Sequence, residues 1–333
     1  MGSGYDVYVT FSGRSKTPIA HVRSFSAGGK DQGAVTPDYD ELRGMVLDAA
    51  GRLYVAVANK NASAVDLFSA TIEKDGTRAL IGTIIAPPTS AVHAHPYGLT
   101  FDGDGVLYVS SQDINCVTGY TIGTESPPQA TPIPIASALT TNFPEGTFYP
   151  GEFVAAVAGI THGSVTPPSV PPNLGGLSAS VVGTSRHSVR DVQATPNALY
   201  VADEANDRVG IYDLSTGAYK LAITGTGRSS RRHVVDEPVG LAYDAKRGIL
   251  YVGSSKNACI FAYAERSKTL ARLAYDDEKL AKVSGLACAP DGTLLAASRA
   301  AAAIFSVDTS SGKLTTFADG LADAPECLLI VPA

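Results

Sequence analysis

Five stretches of the chain repeat one arrangement of apolar and polar positions. Each begins with an apolar run, usually holding a glycine, crosses a short polar turn, and resumes as Leu-Tyr-Val or a close variant. The copies are RGMVLDAAGRLYVAV from Arg43, YGLTFDGDGVLYVSS from Tyr97, RDVQATPNALYVAD from Arg190, VGLAYDAKRGILYVGS from Val239 and SGLACAPDGTLLAAS from Ser284. A second polar turn and another apolar run follow each copy: AVDLFS, CVTGYT, RVGIYDL, CIFAYA and AIFSVD. A further run, such as RALIGTIIA or KLTTFA, completes most of them. Short runs rich in Val, Ile, Leu, Tyr and Phe, bounded by Gly, Asp and Asn, predict strands. Four such strands per unit make one blade of a β-propeller.

The repeated tyrosines are Tyr8, Tyr54, Tyr108, Tyr200 and Tyr251, with Leu295 in the equivalent place. Their spacing suits one blade each, except that the interval from Tyr108 to Tyr200 is roughly double the others. That interval holds one blade and an insertion, which is long enough to hide a seventh blade. The ends of the chain complement each other. YDVYVTF from Tyr5 supplies a second strand without a first, and PECLLIVP from Pro325 supplies a first strand without a second. Joined, they complete blade one and hide the sheet edges an open array would expose. The expectation is an all-β, six-bladed propeller of four-stranded antiparallel blades over residues 5–333, with residues 1–4 a tag remnant or unstructured.

Composition changes this picture little. The chain of 333 residues has 33 Gly, 20 Pro and 44% hydrophobic residues, a globular and turn-rich balance. No apolar run of about 18 residues is present, so no membrane-spanning helix is expected. A net charge of −6 argues against a general nucleic-acid binder. Cys116, Cys259, Cys288 and Cys327 lack zinc-site spacing and sit in strand-like runs, so they read as buried free thiols. No secretory signal opens the chain, which makes a cytoplasmic protein the default, or a secreted or periplasmic one if a leader has been removed.

The phrase LYVADEANDRVGIYDLSTG, from Leu199 to Gly217, resembles an NHL repeat, and the other blades are similar to weaker copies. The chain resembles the six-bladed superfamily of NHL proteins, gluconolactonase-like calcium lactonases, strictosidine-synthase-like proteins, peptide-amidating lyases and TolB-like propellers. The repeated residues are structural. Asp203, Asn206 and Arg208 are expected to satisfy backbone groups around a turn. The resemblance therefore implies a fold and leaves function to the site.

In a propeller, the loops leading into each innermost strand and those between second and third strands share one face, the channel mouth. Immediately before each repeated glycine stand Arg43, Tyr97, Arg190 (with Asp191 for Gly), Val239, Ser284 and Glu326 (with Cys327 for Gly). Gluconolactonase-like enzymes carry acidic and Asn metal ligands at this register, and Glu326 alone matches. Arg43 and Arg190 would repel calcium. Two arginines and a tyrosine instead suggest an anion site. The competing expectation is a salt bridge of Arg43 or Arg190 with Glu326 that merely fills the channel.

Farther toward the rim, His95, His187 and Glu237 lead into blades three, four and five. Two imidazoles and a carboxylate could hold a divalent metal, zinc or calcium, or serve as general acid and base near neutral pH. The amidating lyases of the superfamily use histidines from several blades on a metal. His93 and His233 lie close in sequence, whereas His21 reads as incidental. Residues 138–186 interrupt the repeat with many prolines and with Phe143, Phe148, Tyr149 and Phe153, and read as a lid over the mouth. Before blade five, Arg228, Arg231, Arg232 and His233 form a basic loop that could attract an anionic ligand.

The expected function is a hydrolase or lyase acting on a small anionic metabolite. Arg43, Arg190, Tyr97, Arg231 and Arg232 would bind the substrate. His95 or His187 would move the proton, and Glu237 or Glu326 would orient a histidine or take part directly. The alternatives are a non-catalytic NHL-type propeller that binds a peptide or partner protein, and a lactonase with an altered metal site.

Overall fold

The computed structural model describes residues 4–58, 63–85, 95–112, 116–132, 189–214, 219–225 and 234–332. Blade one contains β1 (Tyr5–Phe11), β2 (Arg23–Ser26) and β3 (Asp31–Ala34). Blade two contains β4 (Leu42–Leu47), β5 (Leu53–Val57), β6 (Ala64–Ile72) and β7 (Arg78–Ile85). Blade three contains β8 (Pro96–Phe101), β9 (Leu107–Ser111), β10 (Cys116–Ile122) and β11 (Ala130–Pro132). Blade four runs β12 (Val189–Ala194), β13 (Leu199–Asp203), β14 (Arg208–Tyr212) and β15 (Tyr219–Ile223). Blade five runs β16 (Pro238–Asp244), β17 (Ile249–Ser254), β18 (Cys259–Ala264) and β19 (Thr269–Tyr275). Blade six runs β20 (Val283–Cys288), β21 (Leu294–Ser298), β22 (Ala303–Val307) and β23 (Leu314–Ala318). The last strand, β24 (Pro325–Pro332), pairs antiparallel with β1, so both ends of the chain build blade one.

The six innermost strands form a closed ring. Each of β4, β8, β12, β16, β20 and β24 packs on the next, and β24 packs back on β4. Blades three and four are direct neighbours, so no seventh blade intervenes. The insertion of 138–186 and the basic loop with Arg228, Arg231, Arg232 and His233 lie outside the described residues. Among the described residues no helix is long and apolar enough to cross a membrane.

The Leu-Tyr-Val strands explain the repeat. All residues of β5, β9, β13 and β21 are buried, because a blade's inner strands are covered on both faces by neighbouring blades. Separate apolar clusters fill the seams; one joins Tyr200 and Ile211 of blade four, and Val235 in the connection before β16, to Leu250 and Phe261 of blade five. The tyrosine hydroxyls have a second task. Tyr54 donates to Asp48 Oδ2 and Tyr108 to Asp102 Oδ2, each at 3.2 Å. The other oxygen of each aspartate accepts turn N–H groups, so D-x-x-G-x-L-Y locks the first hairpin. Asp203 is buried and accepts from the Asn206 and Arg208 side chains and from the Asn206 backbone N–H, so the trio ties itself together while satisfying a backbone group of the turn.

On the face away from the mouth, Glu265 ties blade four to blade five. Its carboxylate accepts from Tyr200 and Tyr243 at 2.7 Å, Thr195 at 2.9 Å and Asn197 at 3.4 Å. Burial pushes this carboxyl up, but the four donors outweigh it and hold it below the ordinary range. A depressed carboxyl stabilises the fold above its unfolded-state value, and that contribution fades as pH falls through the folded value. Glu265→Ala is expected to cost about 1–2 kcal/mol near pH 7 and less near pH 3, measured by urea unfolding.

Candidate functional site

The ring register rests on one backbone device repeated six times. In every blade the pairing of first and second strands slips across two residues, X-Gly in four blades and Arg190-Asp191 and Glu326-Cys327 in the others: between Leu42 and Met45, Pro96 and Leu99, Val189 and Val192, Pro238 and Leu241, and Val283 and Leu286, and between Val9 and Phe11 against β24. A bulge of this kind re-aims one side chain. The glycine is needed because the next blade's backbone stands where a Cβ would go. That position on Gly44 is 2.2 Å from Tyr97 O, and on Gly240 it is 2.3 Å from Ser284 O.

Residues far apart in sequence therefore converge. Tyr97 of blade three donates to Glu326 Oε2 at 3.0 Å, across the channel in the closing strand. Arg299 Nη2 donates to the same Glu326 oxygen at 2.6 Å and to the Tyr97 hydroxyl at 2.7 Å. The guanidinium carbons of Arg43 and Arg190 stand 5.9 and 5.0 Å from the centre of the Tyr97 ring. Arg43, Tyr97, Ser284 and Glu326 are all buried, so this layer closes the mouth end of the channel. Burial pushes the Tyr97 hydroxyl up to about 12, with Glu326 adding to the rise and Arg299 opposing it, so Tyr97 works as a neutral donor. Burial alone would lower Arg299, but Tyr97 and Glu326 raise it on balance and keep it charged.

The filling salt bridge is not one of the two pairs expected. Glu326 pairs with Arg299, while Arg43 pairs with Glu41 and Arg190 with Glu204. Arg190 also donates to Gln112 Oε1 at 2.6 Å. Arg14 reaches Glu41 at 3.0 Å, and His95 Nε2 lies 3.7 Å from the same oxygen. Donors remain over: Arg43 Nε and Arg299 Nε are buried without a hydrogen-bond partner.

Arg299, Glu204 and Gln112 stand outside the positions before the ring glycines and outside the rim group that the sequence pattern singles out. All three occupy one position, four residues after the repeated Tyr or Leu, where the chain turns from second to third strand. That register reads Ser12, Ala58, Gln112, Glu204, Ser255, Arg299, and aligning the blades would have exposed it. Glu41 was missed similarly. It immediately precedes β4 as His95 precedes β8 and Glu237 precedes β16.

Two members of the rim trio, His95 and Glu237, lie among the described residues. His95 and Glu237 share a register and a left-handed backbone, with φ of 65° and 52°. Yet His95 faces Glu41, whereas Glu237 is half-exposed and pairs with Lys256 at 3.4 Å. His187 lies outside the described residues, one position earlier in the register than His95. No three His, Cys, Asp or Glu side chains stand together as a metal would need, among the described residues.

Beneath the closing layer runs a cavity of about 240 Å³, lined by Tyr97, Asp191, Ser284, Glu326, Cys327 and Cys288 among others. Asp191 and Cys327 are the two residues that replace ring glycines. Burial raises the Asp191 carboxyl to about 7, although it accepts from Leu241 N at 2.8 Å and Val192 N at 2.9 Å. Burial likewise pushes the Cys288 and Cys327 thiols up to about 12, so they are inert rather than nucleophilic.

No family model and no curated protein sequence matches the chain. Solved structures do. A nidogen/laminin complex matches over 98% of both chains at 10% identity and a TM-score of 0.62. A Bacteroides fragilis protein provisionally described as a 6-phosphogluconolactonase matches over 99% of this chain and 98% of its own, at 15% identity and 0.58. Virginiamycin B lyase from Staphylococcus aureus matches over 86% and 73%, at 12% identity and 0.50. The chain is a six-bladed β-propeller. At such identities the likeness extends to the fold and no further, and the propeller's neighbours include both enzymes and a protein complex.

Proposed function

We propose that this propeller binds a small anionic metabolite at the channel mouth and acts on it as a hydrolase or lyase. The observation that carries the reading is the convergence of Arg43, Arg190 and Arg299 on Tyr97, with the Nε–H donors of Arg43 and Arg299 left over after their carboxylate partners are satisfied. Guanidinium forks match carboxylate and phosphate oxygens. Arg190 and Arg299, the less buried of the three, would hold the anion above the closing layer. His95, beside Glu41, is the described group suited to moving a proton there. Glu41 takes the orienting role first expected of Glu237. The lyase and lactonase-type propellers among the structural neighbours are compatible with such chemistry.

Sulfate is expected to raise the melting temperature at low ionic strength by about 2–4 °C once well above its dissociation constant. Arg190→Gln should abolish that rise. An unchanged rise in Arg190→Gln, or none in the wild type, would remove the anion site. Mass spectrometry of small molecules that copurify would then name the metabolite.

A second reading, a propeller that docks a partner protein, is favoured by a different surface. Ile72, Leu80 and Ile81, on the outer strands of blade two, are 47%, 49% and 37% exposed. Exposed apolar residues grouped on one edge are commonly interaction surfaces.

A further inference from the structure

We propose that the cavity below the closing layer is a site for a small organic cation, such as an alkylammonium, that pairs with Asp191. This compartment lies below the mouth layer, with which it shares Tyr97, Ser284 and Glu326 as a wall, and its reading does not rest on the anion reading above it. The residues lining it include two carboxyl groups, Asp191 and Glu326, and no Lys, Arg or His. Glu326 is already neutralised by Arg299 and hydrogen-bonded by Tyr97. Asp191 has backbone N–H donors and no basic partner among the described residues. A carboxylate in a channel, without a counter-ion, attracts positive charge.

The remaining walls decide what kind of cation fits. Leu99, Leu241, Leu286 and Leu328 line the cavity, which suits a ligand with an apolar body. A hard metal ion would require several oxygen ligands, and no group of three candidate ligands exists among the described residues. The route in is from the far end. The mouth layer is buried, whereas Val46, Tyr243, Cys288 and Ile330 at the opposite end are half-buried.

Protonation governs this site. The titratable groups around Asp191 are Tyr97 on β8, Tyr243 on β16, Cys288 on β20, and Glu326 and Cys327 on β24; β4 adds none to the cavity wall. Tyr97 and the two thiols stay protonated near neutral pH, and Tyr243 donates to Glu265. Asp191 is therefore the group that changes charge there, and it must be ionised to hold a cation.

Calorimetric titration of the full chain with butylammonium tests this. Binding is expected to tighten about ten-fold between about pH 6 and about pH 8. Asp191→Asn should lose it at both values. Asp191→Gly, which restores the residue four other blades carry, should lose it too. Butylammonium should also raise the wild-type melting temperature more at the higher pH than at the lower, a reading that needs no variant. Calcium alone should not bind. Absence of butylammonium binding at the higher pH, binding undiminished in either variant, or calcium binding that requires Asp191 would each overturn the proposal. None of these results depends on whether sulfate binds at the mouth.

Discussion

Glu326→Ala is expected to destabilise the protein by about 3 kcal/mol, read as a lower urea midpoint with an unchanged slope. Glu326 is 5% exposed and accepts hydrogen bonds from both Arg299 and Tyr97. Its removal leaves a guanidinium charge and a phenol without their acceptor in a closed layer. Removing one partner of a fully buried pair costs about 3–5 kcal/mol. The Arg299 side chain retains 24% exposure, which places the expectation at the low end. Removing the charge from both partners, as Glu326→Leu with Arg299→Met, should recover most of the loss, because no ion remains to be solvated. A single-variant loss below about 1 kcal/mol would show that the layer does not hold β24 against its neighbours.

Gly44→Ala is expected to cost about 3 kcal/mol or more, since a backbone carbonyl rather than a movable side chain occupies the space. The Cβ would stand 2.2 Å from Tyr97 O, and Gly240→Ala would meet Ser284 O at 2.3 Å. Either change must push two blades apart along their inner seam. Gly103→Ala is the control: nothing lies within 4 Å of its Cβ and it has no positive φ. It should stay within about 0.5 kcal/mol of wild type. Equal effects at Gly44 and Gly103 would mean that the ring glycines are not required by blade packing. Because the Gly44 clash falls on Tyr97 itself, that variant should weaken sulfate binding as well.

Much of the site's frame was legible in the chain. Tyr97 and Glu326 meet although 229 positions separate them, because the repeated glycine marks the same point of every blade. The histidine assignment shows where this reasoning thins. His95 and His187 lead into neighbouring blades, and because β8 begins at Pro96 and β12 at Val189 they stand one place apart in register. A slip of one residue re-aims a side chain, and loops preceding a strand carry no periodicity to correct it. Arg299 was overlooked for a related reason: nothing in RAAAA after β21 distinguishes a buried ion-pair partner from a solvated loop arginine.

Taken alone, the sequence determined the propeller architecture, the phase of its blades around the ring and closure by the two chain ends. These follow from local strand length, glycine position and an apolar period that every blade repeats. The direct packing of β8 on β12 decided six blades against seven. Which arginine neutralises which glutamate was decided by tertiary structure. So were the channel's closure at the mouth and the counter-ion-free setting of Asp191. Charge pairing depends on distances of a few ångströms between blades, which a repeat period cannot encode.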